Sequence, residues 1–406
     1  YEHQKESGED LMEKVFETIT RSQVKDFEVN GRSIRMDSKL IGSNIAIFTR
    51  YEIIHQTLCF FYKSLDKATQ SRLSKADRGQ MESLVEEESE KTVYHSTREE
   101  LNTRLQAIGL LIYKMMKLYG NLRTDKFELL ERVFNEQYTV SEDKKVILRP
   151  KEEISSSSVQ SPHDPDSGYS NKQGQNVKGY RANITETCSD NNNLNLITNV
   201  LVEKANIGDA SFVKPAVIGS VEVTGQPVEK IYLDGGFQSP ANDQYCENID
   251  MVFTGMQGFG SRYDLEMTPE GLLVTDTKTG QVMKAVLAKK LKNSREDRWR
   301  ITTPTRRYYF SQQAIRAAHL RRELLKRTRE ELHKRNNVEA TIFQFGFLLK
   351  NKKSKYRGLI KQKLWAYCRC LWINLVRILN FTKQTCQRTT RTMGKSSLVS
   401  FFSPFF

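Results

Sequence analysis

The chain has 406 residues, 38% of them hydrophobic and 10% aromatic, which is enough to bury a real core in one large domain with insertions or in two domains. With 28% charged residues and no uninterrupted apolar run of the ~18 residues a span requires, the sequence excludes a helical membrane protein. Sixty-three Lys and Arg against 49 Asp and Glu leave a net charge of +14, which favours a polyanionic partner, nucleic acid foremost, over a plain solvated basic surface.

Residues 1–25 carry Leu11, Val15 and Ile19 at helical spacing and predict an amphipathic helix. In "DFEVNGRSIRMDSK" an Asn-Gly pair separates Phe27 and Val29 from Ile34 and Met36, which predicts a hairpin whose second strand ends at Asp37. Residues 43–150 read as a helical insertion and 151–177, rich in Ser, Asn, Gly and Pro, as a loop. Strand-like runs fill 178–260, and "KIYLDGGF" places Asp234 at a strand end. A β-rich insertion follows over 261–310, with a Lys-Thr-Gly turn. A long basic helix is expected over 311–345, a second over 355–380, and a tail over 381–406. Strands with a helical excursion after the first of them give an α/β or α+β core with two insertions.

Six cysteines without framework spacing suit a reducing cytosol, and we read Cys368 and Cys370, two apart in a helix-like run, as core thiols. No secretory signal opens the chain, and a first residue of Tyr1 rather than Met reads as a partial or trimmed product.

Three acids stand out. Asp37 and Asp234 close predicted strands, where carboxylates can line a cleft at the sheet edge. Glu339 lies alone in "HKRNNVEATIFQF", on a helical line with Leu325, Leu332 and Phe343. A charge on a core-facing line costs several kcal/mol unless compensated. Either an ion pair with Arg335, four residues earlier, or a metal shared with the aspartates would compensate it, and spacing leaves both open. His163, Asp164 and Asp166 in "HDPDSGY" read as an Asx-Pro turn, with metal ligation as the alternative. Lys178 and Arg181 in "KGYRANITE" suit phosphate contacts or a solvated strand edge, and "RRELLKRTREELHKR" suits a DNA backbone or an exposed helix.

The blocks "GRSIRMDSKLIGSNIAIFTRYEIIHQTL", "SPHDPDSGYSNKQGQNVKGYRANITETC", "VEKIYLDGGFQSPANDQYC" and "KRNNVEATIFQF…KYRGLIKQKLWAYCRCLWINLVRIL" together resemble the DDE transposases of bacterial insertion sequences, in the expected order from about residue 25 to 380. The resemblance implies a ribonuclease-H-like mixed sheet flanked by helices, with residues 1–25 as a remnant of an N-terminal helical region and 26–42 as the first strands of the core. It implies a triad of Asp37, Asp234 and Glu339 holding two Mg²⁺ ions, with Mn²⁺ as substitute, and Asp166 in reserve. Arg335, Lys178, Arg181, Lys350, Lys352 and Lys353 would contact DNA. The partners implied are double-stranded DNA, as terminal inverted repeats and target, and a second copy of the chain, in a bacterial, nucleoid-associated cytoplasm. Two positions depart from the pattern: Leu332 stands where the family often has tyrosine and Gly346 where it often has lysine. Few residues precede Asp37, so recognition of terminal repeats is expected to be weakened. An inactive DNA-binding remnant and a protein-binding scaffold are the competing readings.

Overall fold

A computed structural model describes residues 2–172, 174–256, 261–288 and 298–392. After a short α1 (Glu2–Ser7), Asp10 caps α2 (Leu11–Asp26) by accepting from the Met12 and Glu13 N–H groups. The helix is as expected, but its face is not. Phe16, Thr20, Gln23 and Val24 are buried, whereas Leu11, Val15 and Ile19 are exposed, roughly 100° around the helix.

The expected hairpin does not form. Val29 returns its N–H to the Val24 carbonyl and buries among Val24, Leu194, Leu196 and Val223, so the Asn30-Gly31 pair becomes a loop. Gly31 is needed there because a Cβ would come within 2.6 Å of Thr224. The strand β1 (Ser33–Gly42) then runs five residues past Asp37, which is therefore mid-strand rather than terminal.

The expected helical insertion is α3 (Arg50–Ser64), α4 (Lys67–Gln70), α5 (Lys75–Glu86), α6 (Ser89–His95), α7 (Arg98–Tyr119) and α8 (Asp125–Gln137). Capping boxes start α3 at Thr49–Glu52 and α7 at Thr97–Glu100. A small hairpin, β2 (Tyr138–Val140) and β3 (Val146–Leu148), closes this unit over its own hydrophobic cluster. The segment read as a loop over 151–177 contains β4 (Gly168–Lys172) and the start of β5 (Gln175–Thr187).

The remaining core elements are β6 (Ile197–Lys204), α9 (Val213–Thr224), β7 (Lys230–Asp234), α10 (Pro240–Tyr245) and β8 (Asp250–Thr254). The protein is thus mixed α/β around a mixed sheet. β1 pairs antiparallel with β5 and parallel with β7, and β7 pairs parallel with β8. Along the other side of β5, β4 pairs with residues 175–179 and β6 with 180–186, both antiparallel.

The β-rich insertion forms two three-stranded sheets, β9 (Tyr263–Thr268), β10 (Gly271–Asp276) and β11 (Val282–Lys284), then β12 (Val286–Ala288), β13 (Arg298–Thr302) and β14 (Arg307–Phe310). Its Lys-Thr-Gly turn forms as expected, with Gly280 at φ 74°. The single helix expected over 311–345 is two, α11 (Gln312–Lys326) and α12 (Arg329–Gly346). Thr328 starts the second by accepting from the Glu331 N–H, and Arg327 leaves the helix to pair with Asp250. Last comes α13 (Leu359–Thr392), which extends well into the segment read as a tail, while 393–406 lie outside the described residues.

Alternation along the strands sorts the two faces of the sheet. Ile34 and Met36 of β1 and Ile231 and Leu233 of β7 pack with α9 and Leu320 of α11. Arg35, Asp37 and Ile41, with Tyr232 and Asp234, therefore fall on the opposite face, where α12 and α13 cover the sheet.

Candidate active site

Asp37 and Asp234 stand on adjacent parallel strands, and α12 brings Glu339 across the same face. Arg335, one turn before Glu339, collects all three. Its Nη1 lies 3.1 Å from Glu339 Oε1, and its Nη2 lies 3.3 Å from Asp37 Oδ2 and 3.9 Å from Asp234 Oδ2. Glu339 itself is 60% exposed and Arg335 only 12%. Leu325 and Phe343 are also exposed while Leu332 on the same line packs on the core, so Glu339 stands on the rim of the buried side of α12, which Val338, Thr341 and Phe345 form. The carboxylate is where a ligand can reach it.

Burial pushes the Asp37 carboxyl above the ordinary carboxylate range; Arg335 and the Ser38 N–H pull it down, and the nearby Asp234 adds to the rise. Three acids around one guanidinium leave that cation saturated on two nitrogens, while its buried Nε has no hydrogen-bond acceptor among the described residues. As the side chains stand, no three acid, His or Cys groups among the described residues lie close enough to share a metal ion. The acids are gathered by Arg335 instead of by each other.

Several contacts fix α12 over the sheet. Glu186 of β5 is fully buried and accepts from Arg35 Nε at 2.6 Å, Thr341 Oγ1 at 2.7 Å and Arg377 Nη1 at 2.7 Å. One carboxylate thereby joins β1, β5, α12 and α13. Burial works to raise its pKa, but Arg377, Arg35 and Thr341 outweigh it and hold Glu186 below the ordinary range. Arg35 also donates to the Lys334 carbonyl at 2.9 Å, and Glu331 at the start of α12 pairs with Lys230 and Arg327. Sequence reading missed Glu186; the one charged residue in the strand run "ANITET" was the available signal.

Compared with family models, with curated proteins and with solved structures, the chain matches none.

The structure does not bring the other nominated residues to this cluster as a group. Asp164 is buried and accepts from Tyr180 Oη at 2.5 Å and the Gly358 N–H at 3.0 Å, and Asp166 accepts from the Leu359 N–H at 3.1 Å at the start of α13. Both aspartates are used to seat α13, and His163 packs on Phe48 and Phe60. The held-back Asp166 therefore has a structural task. Arg181 is buried in an ion pair with Asp209, and Lys178 donates to the Phe48 carbonyl at 3.2 Å. Alternation puts Arg181 on the face away from the acids, so its expected phosphate contact is replaced by an internal one. Lys350, Lys352 and Lys353 are exposed in the turn after α12. Leu332 packs against Cys188, Tyr232 and Val252, and Lys39 Cε would stand 2.4 Å from a Cβ at Gly346. Cys370 is buried as expected, but Cys368 is exposed.

Proposed function

We propose that the chain is a DNA transposase of the DDE type, cutting and joining DNA strands at Asp37, Asp234 and Glu339. The observation carrying this reading is that three acids, separated by 197 and 105 residues in sequence, surround a single guanidinium within 3.9 Å. The strand order β6-β5-β1-β7-β8, with β5 alone antiparallel to β1, supports a ribonuclease-H-like core whose central strands carry the first two acids.

Hard oxygen donors of this kind suit Mg²⁺ or Mn²⁺, and a pair of such ions supplies activation of the attacking oxygen and stabilisation of the leaving one at a phosphodiester. The chain's own part is positioning. β1 and β7 fix two carboxylates side by side, and α12 swings the third across them under the hold of Glu186 and Arg35. Arg335 supplies the countercharge that keeps three acids together, and it is placed to turn towards a phosphate instead. Burial raises the Asp37 carboxyl, so a proton competes there with any cation the site takes. Paired chemistry at two DNA ends calls for a homodimer on double-stranded DNA in the bacterial cytoplasm.

The test is nicking of supercoiled plasmid with Mg²⁺ or Mn²⁺. Asp37→Asn, Asp234→Asn and Glu339→Gln are each expected to abolish it while DNA affinity, read by gel shift, is kept or raised. Full nicking by any one of them ends the triad assignment. The catalytically inactive DNA-binding reading draws on Arg335 filling the centre of the acids; it predicts DNA binding with no nicking by the unaltered chain.

A further inference from the structure

Beside the acid cluster lies a groove of about 540 Å³, within the size range of pockets that enclose nucleotide-sized ligands. It opens between β1, the β4–β5 hairpin and the turn after α12. Five lysines line it, Lys39, Lys172, Lys178, Lys352 and Lys353, and no carboxylate does. Among the described residues none of the five makes an ion pair, although 49 acids are available in the chain. An ordinary solvated basic face intersperses the two signs; this one does not.

The backbone is also shaped for it. Asn351 and Lys352 both take left-handed conformations, φ 54° and 59°, an arrangement that costs of order 1 kcal/mol or more at each non-glycine residue. The turn is held there by Gly42, whose N–H donates to the Lys352 carbonyl at 2.9 Å and whose carbonyl accepts from the Ser354 N–H at 2.8 Å. β1 thus carries Asp37 and, five residues on, the anchor of the lysine turn. Lys39 lies between them on the same strand and lines the groove. Lys172 lines the groove from the β4–β5 hairpin. Lysines converging on one groove that no carboxylate lines are a site for an anion. The walls between them are apolar, with Ile45, Ala46 and the 83% exposed Ile47 on one side and Ile342 on the other.

We propose that this groove holds the DNA strand next to the bond being cut, its backbone phosphates on Lys39, Lys172 and Lys352 and its sugars and base edges against Ile45–Ile47. The inference rests on the strand-cleavage reading above. It adds the direction in which the strand leaves the acids: along β1 towards Gly42, away from β7.

The experiment compares the full chain, Lys172→Ala/Lys352→Ala, and Lys75→Ala/Lys91→Ala on the distant helical unit, which removes the same net charge. Fluorescence anisotropy with a labelled 20-nucleotide single strand and its duplex gives affinity over a series of salt concentrations. Each lysine that meets a phosphate contributes about one to the slope of log K against log salt. The groove variant is expected to bind about tenfold or more weakly, with the slope reduced by about two, and the distant variant to behave as the unaltered chain. Equal behaviour of the two variants overturns the groove, and if the unaltered chain still nicks plasmid, it overturns the groove alone. An unaltered chain that neither binds nor nicks DNA overturns the strand-cleavage reading and the groove with it.

Discussion

At the residue scale the centre of the site is Arg335, not any of the acids. Its cation offsets the repulsion among a half-buried Asp37, an Asp234 and a Glu339 that stand around one point, since like charges at such range repel strongly. The sign of the pH effect follows from Asp37. Its folded-state pKa is raised, so Asp37 favours folding as pH falls through that value and costs stability as pH rises through it. A proton there competes with a cation, so Mn²⁺ affinity, followed by titration calorimetry across pH, should weaken on the acid side at a pH above the ordinary carboxylate range. Arg335→Ala removes the strongest opposing influence and should move that weakening to higher pH still. A shift to lower pH, or none, would mean the guanidinium does not act on Asp37.

At the element scale the site depends on how α12 is held. Its helical character was readable from the sequence, but at the break Leu324–Arg329 has no Gly or Pro, and the Thr328–Glu331 capping spacing is the one mark of it. The break follows from a tertiary demand: Arg327 reaches Asp250 on β8, at 2.6 Å, and a continuous helix would carry it away. Glu186 sets the depth of the helix. Removing one partner of a buried ion-pair network costs about 3–5 kcal/mol, because the charges left behind are uncompensated. Glu186→Ala, which strands Arg35 and Arg377, should lose about that much in urea unfolding, with Glu186→Gln losing less. A loss under about 1 kcal/mol, the range of exposed pairs, would show that the network does not bear on the fold.

At the scale of the whole molecule the helical unit and the sheet have separate hydrophobic clusters. One belongs to α3–α8, with Leu130, Val133, Ile112 and Met115 fully buried; the others sandwich the sheet. Asp164 and its partners Ser43, Tyr180 and Gly358 lie where the chain passes between them. Such an arrangement predicts separable stabilities. Leu130→Ala should destabilise the helical unit by about 2–5 kcal/mol through the cavity it leaves. Amide exchange should then quicken in α7 and α8 while β5 and β7 keep their protection. Equal loss in the sheet would make the two cores one cooperative unit.

The sequence by itself determined what local pattern and chain order can carry. The strand runs of β5 to β8, the helical and β-rich insertions and Asp234 at its strand end all follow from periodicity and turn chemistry, which act over a few residues. Only the tertiary structure decided the rest. Whether Leu11, Val15 and Ile19 or the neighbouring Phe16 line faces the core depends on what α9 and α13 present to α2. Asn30-Gly31 fails as a hairpin because burying Val29 beside Val223 stabilises the loop more than an isolated strand pair would. Arg181, readable as a phosphate contact, turns inward because β5 alternates and Asp209 meets it on the far face. Glu339 could be singled out as a lone carboxylate, but its side chain's solvent-facing position, and the guanidinium that joins it to Asp37 and Asp234, exist only once segments about 300 residues apart have been packed on one sheet, because charge pairing is set by distance in space and not in sequence.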